Sequence, residues 1–376
     1  MSRVLATVAA LLLYFAAPAS AGDLDSALAS AMEGTKTPAL AVLVMRDGKV
    51  AEEGVRGVRR NDGTDPARID DVWHIGSDGK PMTATMIAKL VERGVLSWDT
   101  PLSKMLPDLA TTMRPEYRDV TLVQLLSHRA GLAHDTNDID FFNTFFKDKR
   151  PLPEQRLIYI AHALTELPAV KPGTEFSYSN TGFLIAAAAA ERATGKTYEE
   201  LMRSEVFGPL GMTAVGFGTT HEGQPQGHID GKPVSKPEDS NPAMFAPAGN
   251  MYMPLRDWAK FCLDQLAGAK GHGKLLSAAT YSMMQTKLPG ATTGLSWGVQ
   301  DSIAGRKGPV LVHGGSDGNW FALVALFPET GNGLLVASNA AESLGGDKAA
   351  MALMKTELQT LAPPAPPKPE QPAAPK

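Results

Sequence analysis

Apolar positions along the chain follow two rhythms, a strand-like one near both ends and a helical one between them. Residues 39 to 60, ALAVLVMRDGKVAEEGVRGVRR, hold two apolar runs joined by Asp47-Gly48, a strong hairpin signal. Apolar residues at 82, 86, 87, 90 and 91 then predict a helix that stops at Gly94. Asp99-Thr100-Pro101 predicts another helix start, with a capping residue and a first-turn proline. Thr121 with Gln124, and Thr197 with Glu200, are capping-box patterns. Helices are also expected over 154–167 and over the Ala-rich 181–193, before Gly195. After Gly290 the strand texture returns in LSWGVQ, VLVHGG, WFALVALF and GLLVASNA, and MALMKTELQTL closes the pattern as a helix. This order predicts an α+β fold. The two ends form an antiparallel sheet flanked by helices, and a helical insertion covers roughly 76–285. A site between those parts would draw on both halves of the sequence.

The ends carry their own signals. MSRVLATVAALLLYFAAPASA has the layout of a secretory leader, with Arg3, an apolar stretch from Val4 to Ala17, and Ala19-Ser20-Ala21 as an A-x-A site. The expected organisation is a signal peptide over 1–21, one domain over 22–360, and a Pro-rich tail over 361–376 that cannot pack. No later segment is apolar and long enough to span a bilayer, so a soluble periplasmic or secreted chain is expected. The net charge of −4, with no basic tract, speaks against nucleic acid as a partner. Cys262 is the single cysteine, so no internal disulfide can form; WAKFCLDQL reads as an amphipathic helix with this thiol near its apolar face.

The chemistry gathers in HIGSDGKPMT. A serine and a lysine three apart meet on one helical turn, and a desolvated lysine amine can take the proton of a serine hydroxyl. Pro81 lacks an N–H and disfavours the α conformation at Lys80, so the regular helix should begin near Pro81 and Ser77–Lys80 should form a tighter 3₁₀ turn leading into it. Asp78 is an oddity, because a carboxylate close to Lys80 would favour its charged form and weaken it as a base. Two further stretches could carry chemistry: Tyr178-Ser179-Asn180 before the Ala-rich helix, and His313-Gly314-Gly315-Ser316 at a strand end.

Rival readings fail on spacing. Gly314 to Gly318 satisfies G-x-S-x-G, but His313 is the last histidine, so a nucleophile at Ser316 has no base after it, and a strand rather than a helix follows. There is no H-E-x-x-H, and the eight histidines are scattered. His74 reads as a packing residue, and His128 and His134 as loop residues. Arg129 and His134 lie in a loop facing the cleft, and the run FFNTFF, 141–146, reads either as an acyl-binding lid or as core.

HIGSDGK, MTATMIAKLVERGVLSWDTPLSKMLPDL, TLVQLLSHRAGL, FSYSNTGF, PAGNMYMPLRDWAKF and VHGG occur in this order, and together they resemble the serine β-lactamase-related and penicillin-binding-protein family. The likeness covers nearly all of residues 25 to 345. It implies the β-lactamase/transpeptidase-like fold, with Ser77 as the acylated nucleophile, Lys80 as its base and Tyr178 as a proton shuttle. Asn180 would orient the substrate amide. His313-Gly314-Gly315 would replace the Lys-Thr-Gly motif of β-lactamases, and the backbone N–H groups of Ser77 and Ser316 would form the oxyanion hole. No metal or cofactor is implied.

The third motif narrows the substrate. Histidine is ordinarily neutral at pH 7 and Gly314 has no side chain, which argues against efficient β-lactam hydrolysis. The expectation is therefore a carboxylesterase-like or broad acyl hydrolase. A penicillin-binding D,D-carboxypeptidase or D-amino-acid peptidase, or a weak β-lactamase, is the second reading. A catalytically impaired binding or regulatory protein of the same fold is the third.

Overall fold

A computed structural model describes residues 21–361, except 235 and 237–239. The leader-like stretch up to Ser20 and the Pro-rich tail after Leu361 lie outside the described residues. Six antiparallel strands form the main sheet: β1 (Ala39–Arg46), β2 (Lys49–Gly57), β3 (Gly298–Ile303), β4 (Arg306–Ser316), β5 (Phe321–Phe327) and β6 (Asn332–Ser338), in the spatial order β2-β1-β6-β5-β4-β3. The β1–β2 hairpin turns at Asp47 and Gly48, both at positive φ (50° and 73°), as a two-residue Asp-Gly loop requires.

Both faces of this sheet are covered, which is why its inner strands read as continuous apolar runs rather than alternating ones. Alternate β1 residues Leu40, Val42 and Val44 face Leu24 and Leu28 of α1 (Ala21–Met32) and Leu353 of the C-terminal helix (Gly346–Thr360). Leu43 and Met45 face the other way, into a larger core shared with Trp258 and Phe261 of the helix Leu255–Ala269. Cys262 on that helix is fully buried.

Between β2 and β3 the chain is mainly helical. The helix Lys80–Glu92 is enclosed on nearly every side, not only along the apolar spacing the sequence displays, and its threonines are satisfied internally. Thr83 Oγ1 lies 2.8 Å from the Tyr198 hydroxyl and Thr85 Oγ1 donates to the Pro81 carbonyl at 2.8 Å. Both capping boxes form, and Gly195 ends the helix Thr181–Thr194 in the left-handed conformation. Two expectations shift. The helix expected at Asp99 is a short turn over Leu102–Met105 without a side-chain cap, because Pro101 stays extended (ψ 143°) as the residue before it. The helix expected over 154–167 runs over Leu152–Ala163, with Pro153 in its first turn.

What positions the site is a seam of backbone against backbone. The 3₁₀ turn Gly76–Gly79 lies between the end of β4 and the segment Ala246–Gly249. A Cβ on Gly315 would stand 2.0 Å from the Ile75 carbonyl oxygen and 2.8 Å from the Ser77 nitrogen, and one on Gly76 would stand 2.4 Å from the Ser316 nitrogen. Gly76 also has φ +50°, so the turn needs glycine for conformation as well as space. Because the obstacles are main chain, they cannot rotate away. Gly315→Ala is therefore expected to destabilise the protein by on the order of 2–4 kcal/mol. A denaturant midpoint indistinguishable from wild type would contradict the seam as described.

Candidate active site

Ser77 sits on the 3₁₀ turn and is only partly covered, whereas Lys80, at the start of the following α-helix, is fully buried. Lys80 has helical backbone angles (φ −59°, ψ −42°) with Pro81 in the first turn, so the proline is accommodated where its missing N–H has no partner to lose. The i,i+3 spacing places Lys80 Nζ 3.0 Å from Ser77 Oγ. Nζ also contacts Asn180 Oδ1 at 2.7 Å and the Ala248 carbonyl oxygen.

Those partners bear on the protonation state. The Asn180 amide nitrogen donates to Asp135 at 3.0 Å, so its Oδ1 is the acceptor facing Lys80. The Ala248 carbonyl can only accept. A neutral amine has two N–H bonds, one for each of these oxygens, and its lone pair is left for the Ser77 hydroxyl. Burial acts in the same direction: it pulls the Lys80 amine down from 10.5 to about 7, against the smaller opposing effects of Asp135 and Asp78.

Tyr178 is brought to the same place by the turn before the helix Thr181–Thr194. Lys80 Nζ lies 4.9 Å from its ring centroid, and the Ser77 hydroxyl is its polar neighbour. Burial pushes the phenol up to about 12. His128 fixes the ring by stacking on it, with centroids 4.3 Å apart and planes 22° apart. The carbonyl and Nδ1 of His128 accept from the N–H groups of Ser177 and Ser179 at 2.8 and 3.0 Å, so one residue clamps both sides of Tyr178. Desolvation holds His128 neutral by lowering its pKa well below the usual value.

The third stretch lies along β4. His313 Nδ1 is 3.0 Å from Asp78 Oδ1 and 3.1 Å from the Gly314 carbonyl. Gly314 and Ser316 are exposed, Gly315 is buried in the seam, and the Ser316 hydroxyl accepts from Gly318 N at 3.0 Å. Asp78 is thus turned toward His313 and not paired to Lys80. Its charge does favour protonated Lys80, but desolvation outweighs it. The Asp78 carboxyl is itself pushed up to about 6, because burial outweighs its bond to His313.

Behind the turn, His74 is fully buried. Asn250 gives its amide hydrogens to the carbonyls of Asn241 and Pro242, so its Oδ1, 3.0 Å away, accepts from His74 Nε2. His74 Nδ1 in turn accepts from Gly76 N at 3.2 Å. The reading of His74 as a packing residue stands, with the added duty of holding the backbone before Ser77. Arg129 is tied to the carbonyls of Gly173 and Thr174 and leaves the site. His134 is exposed, stacks 5.4 Å from Tyr178 and bonds Asp135 at 2.6 Å. In FFNTFF, Phe141, Phe142 and Phe145 pack on Tyr159, Phe142 also meets Phe245, and Phe145 is buried while the other three are half-buried. Asp135 and Ala248 are site components that sequence reasoning missed. Asp135 ends the loop that carries Arg129 and His134, but only its contact with Asn180 gives it meaning. Among the described residues, no group of three or more His, Cys, Asp or Glu side chains is placed to hold a metal ion.

A serine, a buried lysine and a tyrosine converging on one hydroxyl define the class as serine acyl hydrolases of the β-lactamase-like fold. The Beta-lactamase family model matches residues 24–357, and the chain belongs to that family of serine hydrolases. It is similar to Penicillin-binding protein 4 of Amycolatopsis lactamdurans, with 27% identity over 314 residues and 78% of each chain covered. It is also similar to Esterase EstB of Burkholderia gladioli, at 28% identity over 249 residues, covering 61% of this chain and 62% of that one. Among solved structures, the octameric penicillin-binding protein homologue from Pyrococcus abyssi superposes with a TM-score of 0.73 at 25% identity, over 90% of this chain and 77% of that one.

The buried Asp78 carboxyl has a consequence for stability. Below its unfolded value of 3.8 the group is protonated in both states and no penalty arises. As pH rises through about 6, the folded protein must ionise a carboxyl that the unfolded chain ionised earlier, so stability is lost. Asp78→Asn keeps the acceptor toward His313 and removes the charge. Its stability relative to wild type should improve by on the order of 3 kcal/mol between about pH 3.5 and about pH 8. Urea denaturation at the two pH values checks this, and a pH-independent difference would refute it.

Proposed function

We propose that this protein hydrolyses acyl substrates through an acyl-enzyme on Ser77, with Lys80 as base and Tyr178 as proton relay. The observation that carries the reading is the Lys80 amine, whose two other partners are acceptors and whose remaining direction is Ser77 Oγ, 3.0 Å away. In acylation, Oγ bonds to the acyl carbon and its proton passes to Lys80. The bond to the leaving group then breaks as Tyr178 hands that group a proton and is resupplied from Lys80. The N–H groups of Ser77 and Ser316 meet across the glycine seam and support an oxyanion hole. Asn180, held by Asp135 and Lys80, is suited to orient the acyl group.

Esters are the favoured substrates. Gly314 offers no side chain and the His313 ring is turned into the protein toward Asp78, which leaves a small polar surface at the third motif. Similarity to a penicillin-binding protein over 78% of the chain favours D-amino-acid peptides as the second reading. Covalent labelling by a penicillin without turnover would select it. The leader-like residues 1–21 support a periplasmic or secreted site of action.

The test is intact mass after exposure to a fluorophosphonate, together with p-nitrophenyl ester turnover. Wild type should gain one adduct and Ser77→Ala none, with turnover down on the order of 10³-fold or more. Lys80 acts only when neutral, so kcat/KM should fall as pH drops through about 7, while Tyr178 keeps its proton up to about 12. An adduct that persists in Ser77→Ala would reject the assignment.

A further inference from the structure

Acylation leaves one chemical question open. Once Ser77 Oγ is esterified, a water must be deprotonated to release the acyl group, and Lys80, whose lone pair faces the Ser77 position, is one candidate base. The other ionisable pair beside the turn is Asp78 with His313. His313 Nδ1 faces two acceptors, the Asp78 carboxyl and the Gly314 carbonyl, so that nitrogen carries a hydrogen. A neutral ring in this tautomer has its lone pair on Nε2, which has no hydrogen-bond partner among the described residues and is absent from the fully enclosed unpaired atoms. Asp78 is almost wholly buried and its Oδ2 is unpaired. A buried carboxylate with one unmatched oxygen is costly, and a structural tie to His313 would be met as well by an asparagine or a serine. An aspartate is what stabilises an imidazolium.

We propose, resting on the acyl-enzyme reading above, that His313 is the base that deprotonates the hydrolytic water and that Asp78 is its positioning residue. The water oxygen bonds to the acyl carbon while one of its protons moves to His313 Nε2, and the imidazolium so formed is held by Asp78. The bond from that carbon to Ser77 Oγ then breaks, and Oγ regains a proton through the Tyr178 hydroxyl, which is resupplied from the imidazolium. The sum is one water and one acyl-serine giving one carboxylic acid and one serine. The two steps thus have separate bases on separate elements, Lys80 on the helix after the turn and His313 on β4. The charged and titratable groups that interact with the pair are Lys80, His128, Tyr178 and, on the helix Leu255–Ala269, Cys262.

The experiment separates the steps with p-nitrophenyl acetate in rapid mixing, where the burst reports acylation and the steady state reports deacylation. In His313→Ala the burst rate should stay within a few-fold of wild type while deacylation falls about 10²-fold, so that acyl-enzyme accumulates and is seen by intact mass. Added imidazole should restore part of the lost rate, which a merely structural role would not allow. Asp78→Asn should slow deacylation about tenfold or more and shift the acidic limb of its pH profile, with the burst retained. His313→Gln, which keeps a donor toward Asp78, serves if the alanine variant does not fold, and a fluorophosphonate adduct certifies each variant. Unchanged deacylation, or equal losses in both steps with no response to imidazole, would overturn the role of His313. Absence of any Ser77 adduct in the wild type would overturn the acyl-enzyme reading itself, and this inference with it.

Discussion

Removing the Lys80 amine from water is the constraint around which the site is built. A shift from 10.5 to about 7 corresponds to on the order of 5 kcal/mol of differential destabilisation of the charged form. That is comparable to the whole net stability of many domains, so the surrounding structure must be rigid enough to forbid the easy escape, in which water enters and the amine charges. The helix Lys80–Glu92 supplies this rigidity by being enclosed on nearly every side. Were it an ordinary surface helix with one wet face, Lys80 would extend along that face and keep its proton.

The enclosure requires two halves of the chain to meet without side chains between them. Lys80, Asp135, Tyr178, Asn180 and Ala248 come from the helical part, whereas His313 to Ser316 come from the sheet. Gly76, Gly249 and Gly315 are the points of closest approach, with any added Cβ falling under 3 Å from main-chain atoms. The backbone N–H groups of two distant segments, Ser77 and Ser316, are brought close only because the intervening distance is that small. The sheet in turn is packed by helices on both faces.

Much of this was legible in the sequence wherever the determining contact is local. Pro81 marks the first turn of the α-helix, although Lys80 before it is itself helical against the expectation for a residue preceding proline, and Ser77 lies on the 3₁₀ turn just ahead. Asp47-Gly48 fixes the hairpin, and Thr121 with Gln124, like Thr197 with Glu200, fixes a helix start through bonds spanning three residues. The family motifs brought Ser77, Lys80, Tyr178, Asn180 and His313 forward together. What stayed hidden depends on rotamers and distant partners. Whether Asp78 turns to Lys80 or to His313 is decided by a strand more than two hundred residues later. Asp135 has no signature apart from Asn180, and the carbonyl of Ala248 has no residue identity at all. The helix at Asp99 was misplaced because a cap pattern states where a helix can begin, not whether the chain behind it continues.

Lys80 and Asp78 show what kind of site this fold makes. Burial moves one pKa down to about 7 and the other up to about 6, from opposite directions toward the working range of acid–base chemistry. Neither group is paired with the other, and each instead has a partner on a different wall, Ser77 for the lysine and His313 for the aspartate. An ion pair between them would have returned both to their ordinary values and left two inert charges. Keeping them apart, though they stand only two positions from each other in the chain, is what the geometry of this turn accomplishes. The tight turn therefore does more than bring serine to lysine: it sends two adjacent side chains, Ser77 and Asp78, to two different partners, Lys80 and His313.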